Sequence, residues 1–188
     1  MLVIGVVGKN GSGKDEVLKY LKKQYGVPYF STGDMVREIA AEEGLEATRE
    51  NLGMVSEKYF RQYGKGYFVQ KLGQKIKNLH DCNAAGISGI RSPEDVAILE
   101  NMFGNDFILL DVYVTDPRER FKRMVDRKQA RDPLSYEQFL KQDDEEEKLF
   151  NVSGAEKKAD VFIANDGSLE DLYLRIEYGI QQGSIPVK

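Results

Sequence analysis

Continuous apolar runs alternate along this chain with stretches in which apolar residues recur every three or four positions. The run LVIGVV (2–7) is β-rich and lacks the polar alternation of a half-exposed strand, so it predicts a central strand of a parallel sheet, buried on both faces. It leads through glycines into the amphipathic KDEVLKYLKKQYG (14–26), a helix that Gly26 stops. Further strands are predicted at VPYF (27–30), NAAGISGI (83–90), FILLDVYVT (107–115) and ADVFIAND (159–166). Helical periodicity is read over 31–44, 47–64, 65–80, 92–104, 116–128, 135–150 and 168–182, with Pro93 suited to a first helical turn. Strands that alternate with helices imply a five-stranded parallel sheet covered by helices on both faces, an α/β fold of three layers.

Length and composition narrow the class. The 188 residues, 41% of them hydrophobic and 31% charged, suit one soluble domain with inserted segments. A formal net charge of -4 argues against non-specific nucleic-acid binding, so an anionic ligand must be met by locally placed cations. Cys82 is the single cysteine, which excludes an intramolecular disulfide and fits a cytoplasmic location. His80 is the single histidine, which removes His-based metal clusters and Ser/His/Asp or Cys/His catalysis. The opening MLVIGVVG is too short to span a membrane and lacks a basic lead and cleavage site, so no membrane partner is expected.

The chemistry concentrates after the first strand. Gly8-Lys9-Asn10-Gly11-Ser12-Gly13-Lys14 fits the phosphate-binding pattern G-x-x-x-x-G-K and lies between a predicted strand and a predicted helix. Glycines let the backbone curl so that successive N–H groups point inward, and the helix N-terminus adds the positive end of its dipole. Lys14 then reaches the β and γ phosphates of ATP. Asp15 departs from the pattern, because a Ser or Thr hydroxyl usually stands there and binds Mg²⁺. An acidic residue in a first helical turn is also favoured by the dipole alone. Beside a triphosphate, however, its charge requires a cation between the two. Ser88, near the end of the third predicted strand, stands where a Walker-B-type Asp normally helps hold that metal. Hydroxyl and carboxylate are therefore expected to have exchanged places, with Asp15 and Ser88 together supplying the Mg²⁺ shell.

STGDMVRE (31–38) closely resembles the adenylate kinase segment that opens the monophosphate-binding region. With GKNGSGKD (8–15), GIRSPED (89–95), the Arg-containing 116–132 stretch and IANDGSLEDL (163–172), the resemblance to P-loop nucleoside monophosphate kinases covers most of the chain. It extends to a group of adenylate-kinase-related, dephospho-coenzyme-A-kinase-like proteins of mainly archaeal type whose third strand ends in a similar G-I-R-S. That group commonly has Ser after the loop lysine and Asp where Ser88 stands, so this chain departs from it at two linked positions.

The resemblance implies one kinase domain with a core at 1–31, 81–125 and 159–188, a helical acceptor-binding region at 32–80 and a lid at 126–150. ATP would lie on Gly8, Asn10, Gly11, Ser12, Gly13, Lys14 and Asp15, with Asn165 near the adenine edge. Thr32, Gly33, Asp34 and Arg37 would meet the acceptor. Arg91 would clamp the transferring group, and Arg123, Arg127 and Arg131 are lid candidates, with Lys14, Arg91, Arg127 and Arg131 carrying transition-state charge. Arginine suits these positions because its planar fork binds phosphate in a bidentate manner. Plainer readings stand beside each: Ser31 and Asp34 also fit a helix cap, Asn165-Asp166-Gly167 also fits a turn, and the lid arginines also fit solvated ion pairs. The acidic run DDEEE (143–147) is expected to be a solvated helix face. The aromatic set Tyr59, Phe60, Tyr63, Tyr67 and Phe68 fits core packing and base stacking equally.

A nucleoside monophosphate brings an already ionised nucleophile, whereas a hydroxyl acceptor of the dephospho-coenzyme A kind calls for a nearby carboxylate. Asp34 is the one obvious base, and the same residue occurs in the adenylate kinase motif without that duty. The expectation is phosphoryl transfer from Mg²⁺·ATP to a nucleoside monophosphate, by a monomer or homodimer. The alternatives are a hydroxyl kinase and a nucleotide-binding ATPase or switch without a small acceptor.

Overall fold

The computed structural model describes residues 1–127 and 132–187. Five parallel strands, β1 (Leu2–Val7), β2 (Tyr29–Ser31), β3 (Ala84–Ser88), β4 (Phe107–Tyr113) and β5 (Val161–Ala164), form one sheet in the order β2-β3-β1-β4-β5. The phosphate-loop strand β1 is thus central, and every residue of it after Leu2 is buried. Its register pairs Val6 with Ser88 on one side and Val7 with Asp111 on the other. These pairings bring the ends of β3 and β4 alongside the loop.

Side chains alternate across the sheet and build a core on each face. On one face Ile4, Val6, Leu110 and Val112 pack against α1 (Lys14–Tyr25) and α9 (Leu169–Gln181) through Val17, Leu18, Leu21, Leu172 and Ile176. On the other, Val3, Val7, Ile87 and Leu109 meet α4 (Tyr67–Lys77), α5 (Pro93–Phe103) and α8 (Val152–Glu156). A separate cluster of Val36, Ala40, Val55 and Phe68 joins α2 (Thr32–Glu42), α3 (Arg49–Tyr63) and α4. The helical region therefore has its own small core. Beyond β4 run α6 (Pro117–Arg127) and α7 (Tyr136–Phe150).

Local chemistry fixes the ends of these elements. Gly26 closes α1 in the left-handed region, its N–H bonded to carbonyls of the last turn. Ser31 and Thr48 cap α2 and α3, while Ser92 with Asp95 and Ser168 with Asp171 form capping boxes on α5 and α9.

Several boundaries differ from the sequence reading. The second strand runs 29–31 rather than 27–30, because Val27 still donates to the carbonyl of Leu21 in closing α1 and Pro28 has no N–H to give a ladder. The third strand stops at Ser88, where Gly89 takes φ +86°. The fifth ends at Ala164, since Asn165 turns its side chain to the phosphate loop. Helix α8 was not anticipated; its five residues are too few to show a period.

Candidate active site

The loop after β1 takes its shape from glycines whose missing Cβ atoms leave room for backbone. Gly8, Gly11 and Gly13 all have positive φ, and a Cβ on them would lie 2.3 Å from the Val112 carbonyl oxygen, 2.6 Å from the Arg120 carbonyl oxygen and 2.3 Å from Asn165 Nδ2. Asn165 supports the loop from behind: its Nδ2 donates to the Ser12 carbonyl at 2.8 Å. Arg123 in turn donates to the carbonyls of Asn165 and Gly167.

In front of the loop lies a cavity of about 50 Å³ whose wall includes Gly8, Asn10, Lys14, Asp15, Gly33, Arg37, Ser88, Arg91 and Arg127. Residues scattered over 120 positions of sequence thus meet at the C-terminal ends of the strands, where parallel α/β folds bind ligands. Lys14 bends back to the Lys9 carbonyl at 3.5 Å. Burial lowers the pKa of its ammonium, and the carboxylates of Asp15 and Glu146 oppose that shift.

Asp15 and Ser88 are brought together: Ser88 Oγ donates to Asp15 Oδ1 at 2.5 Å. Both line the cavity. Two adjacent oxygen ligands of this kind suit a hard cation such as Mg²⁺. Among the described residues no group of three or more His, Cys, Asp or Glu side chains is placed to hold a metal, so phosphate oxygens and water would complete such a shell.

Arg91 is presented by a tight turn. Its own N–H and that of Ser92 donate to Asp95 Oδ2, each at 3.0 Å. Burial raises the pKa of that carboxyl group, and the two N–H bonds work in the opposite direction. Thr32 Oγ1 donates to the Gly89 carbonyl, and a Cβ on Gly89 would lie 1.9 Å from that hydroxyl. Only glycine lets the β3 turn and α2 approach this closely.

A second cavity of about 440 Å³ opens beside the first and shares Asn10, Gly33, Arg37, Gly89, Arg91 and Glu146 with it. Thr32, Arg49 and Lys65 supply polar lining, while Val36, Leu52, Phe60, Phe68, Leu149 and Phe150 make apolar walls. The aromatic set divides: Phe60 and Phe68 face this cavity, whereas Tyr59, Tyr63 and Tyr67 pack on one another at its edge.

Some expected residues lie elsewhere. Asp34 lines neither cavity and is paired with Arg37. Gly11, Ser12, Gly13 and Asn165 shape the loop without lining the smaller cavity. Arg127 lines it while paired with Asp132, with Nε to Oδ2 at 2.8 Å. Arg131 falls outside the described residues.

The reading of 143–147 as a solvated face is corrected. Asp143 holds the buried Arg120 in a bidentate pair, Glu147 accepts from Ser153, and Glu146 lines both cavities; only Asp144 and Glu145 are exposed. These inward carboxylates meet cations on other elements, and a run of like charges read along the chain carries no sign of those partners. Spacing does offer one clue, since positions 143, 146 and 147 lie on one side of a helix.

The strand order, the glycine loop with its lysine and the twin cavities at the strand ends define a P-loop kinase fold. In solved structures the same fold occurs in TT1252 from Thermus thermophilus, with a TM-score of 0.63 at 21% identity over 96% of this chain and 97% of that one. It also occurs in the shikimate kinase of Acinetobacter baumannii, with a TM-score of 0.61 at 17% identity over 98% and 96%. The AAA domain family matches residues 7–139. A UPF0200 protein of Thermococcus onnurineus is 34% identical over 177 residues, 94% of this chain and 95% of its own. One from Pyrococcus abyssi is 34% identical over 182 residues, 96% of each. The chain belongs to the UPF0200 family of P-loop proteins, and the archaeal kinship expected from its G-I-R-S turn is met. No described helix is long and apolar enough to cross a membrane.

Proposed function

We propose that this protein is an ATP-dependent phosphotransferase that passes the γ-phosphoryl group of Mg²⁺·ATP to a nucleoside monophosphate. The observation that carries the reading is the continuity of the two cavities, with Arg37 and Arg91 in the wall of both. Donor phosphates on residues 8–15 and an acceptor in the larger cavity would meet where those arginines stand, and alignment with charge neutralisation is most of what phosphoryl transfer requires. Lys14 and Arg127 would hold charge on the donor side, and Thr32 and Gly33 would border the acceptor.

Asp15 and Ser88 would hold Mg²⁺, which when bound neutralises charge on the phosphate oxygens. A phosphate acceptor needs no general base, which agrees with the position of Asp34 outside both cavities. The helical region 32–80 would then select the acceptor, and the 126–150 segment, with α7 over the loop, would act as the lid.

A second reading has an observation of its own. Glu146 borders both cavities and is the carboxylate placed to serve a hydroxyl acceptor of the dephospho-coenzyme A kind. The test is incubation with Mg²⁺·ATP and a panel of nucleoside monophosphates, dephospho-coenzyme A, phosphomevalonate and no acceptor, with products read by mass. A nucleoside diphosphate made from one panel member is expected. Phosphorylated dephospho-coenzyme A would support the second reading, and ADP without any phosphorylated acceptor would contradict both.

A further inference from the structure

Two groups expected to bind phosphate, Asn10 and Arg91, already share an anion. Glu146 Oε2 accepts from Asn10 Nδ2 at 2.5 Å, and Glu146 Oε1 lies 3.7 Å from Arg91 Nη1. The same carboxylate is close enough to Lys14 to work against the lowering of its pKa. Glu146 is 12% exposed, so little water screens these interactions.

Helix α7 is held firmly in this position. Arg120 grips Asp143 with both arms of its guanidinium, donates to the Asn10 carbonyl at 3.0 Å and stacks over Phe139. Phosphate loop and lid are therefore tied together through one buried arginine. With α7 in place, the cavity in front of the loop measures about 50 Å³, room for a few water molecules. Glu146 stands in the wall of that cavity, where a polyphosphate would meet its charge.

We propose that Glu146 is an internal competitor of the nucleotide's phosphates: its carboxylate takes the anion position formed by Asn10 and Arg91 beside the phosphate loop and must leave before polyphosphate binds. The inference rests on the reading of the loop as a polyphosphate site, and it assigns Glu146 as a residue that sets the affinity of that site. A carboxylate and a phosphate at the same point repel, so each excludes the other. Because Glu146 also borders the larger cavity, its departure changes the wall that the acceptor meets. Donor and acceptor are then coupled, and by linkage each changes the other's affinity by the same factor.

The test is calorimetric binding of inorganic tripolyphosphate and of a non-hydrolysable Mg²⁺·ATP analogue to the full-length protein, its Glu146→Gln and Glu146→Ala variants, and the exposed control Asp144→Asn. Urea unfolding of each variant checks that it is folded. Both Glu146 variants are expected to bind both probes at least fivefold tighter than wild type, with Asp144→Asn within twofold. A smaller gain, a loss of affinity, or an equal gain in Asp144→Asn overturns the proposal. A fall in turnover of a hydroxyl acceptor without tighter tripolyphosphate binding also overturns it, since Glu146 would then be a base. If the acceptor panel gives no phosphorylated product while the Glu146 variants still bind tripolyphosphate more tightly, the kinase reading fails and this inference stands.

Discussion

Ser88 Oγ and Asp15 Oδ1, 73 positions apart in sequence, are joined by a hydrogen bond in the wall of the cavity in front of the loop. The pairing of Val6 with Ser88 puts the hydroxyl at the strand end, and the turn from Gly13 into α1 puts the carboxylate opposite it. The site thus contains one carboxylate and one hydroxyl, in the reverse of the usual places.

This arrangement predicts the outcome of exchanging the residues. Asp15→Ser removes the carboxylate, and Ser88→Asp sets two carboxylates at hydrogen-bond distance, where like charges disfavour joint ionisation. Asp15→Ser, which removes the charged ligand, is expected to weaken apparent Mg²⁺ affinity in nucleotide binding by roughly 10–100-fold. The double variant Asp15→Ser/Ser88→Asp is expected to recover most of that loss. Calorimetric titration of Mg²⁺ with nucleotide checks it, and a double variant weaker than both singles would contradict the pairing.

Asp111 carries a pH dependence. It is 5% exposed on β4, and its Oδ1 has no hydrogen-bond partner among the described residues. Burial, with the nearby Glu156 carboxylate adding to it, pushes its pKa from 3.8 to about 7. The folded state therefore keeps a proton that the unfolded chain gives up. Stability from this group is full below the unfolded pKa and is lost as pH rises to about 7. Asp111→Asn removes the effect. Between pH 5 and pH 8 the variant is expected to gain about 2–3 kcal/mol relative to wild type in urea unfolding, and a constant difference would contradict the assignment.

Arg120 is the tie between α7 and the loop after β1. Arg120→Met leaves the carboxylate of Asp143 without its bidentate partner in a partly buried site. Breaking such a pair from one side costs about 3–5 kcal/mol. Urea denaturation is expected to show a loss of that order, with much of it recovered in Arg120→Met/Asp143→Leu. A loss below about 1 kcal/mol would place the pair among surface ion pairs.

The donor side of the site was legible because its signal is local. Gly8, Gly13 and Lys14 sit at fixed spacing between a strand and a helix, and each strand of the sheet shows as an apolar run of its own. The meeting of Asp15 and Ser88 was legible for the same reason, since both occupy positions defined by neighbouring motifs. Glu146 and Arg120 were hidden. Their roles arise from how α6 and α7 fold back over the loop, and the tie between Asn10 and Glu146 spans 136 positions. Asn165 lay between: the sequence marked it at the end of a strand, and the bond of its side chain to the Ser12 carbonyl arises from packing.

Asn165 supports a prediction of its own. Its side chain is buried, and Asn165→Ala leaves the Ser12 carbonyl without its donor, a loss of about 1–3 kcal/mol for a buried group. The loop it braces is expected to lose nucleotide affinity together with stability. Calorimetry and thermal unfolding of the variant read the two, and unchanged values in both would show that the bond does not hold the loop.

On the proposed function, ATP held on this loop passes its γ-phosphoryl group to a small acceptor and leaves as ADP. The most direct measurement is transfer of label from γ-labelled ATP to the acceptor that the panel identifies, with wild type compared with Lys14→Ala and with wild type in excess chelator. Labelled product is expected from wild type with Mg²⁺, and a rate lower by roughly 10²-fold or more is expected for Lys14→Ala and for the chelated enzyme. Transfer that persists undiminished without Lys14, or label released only as inorganic phosphate, would contradict the account.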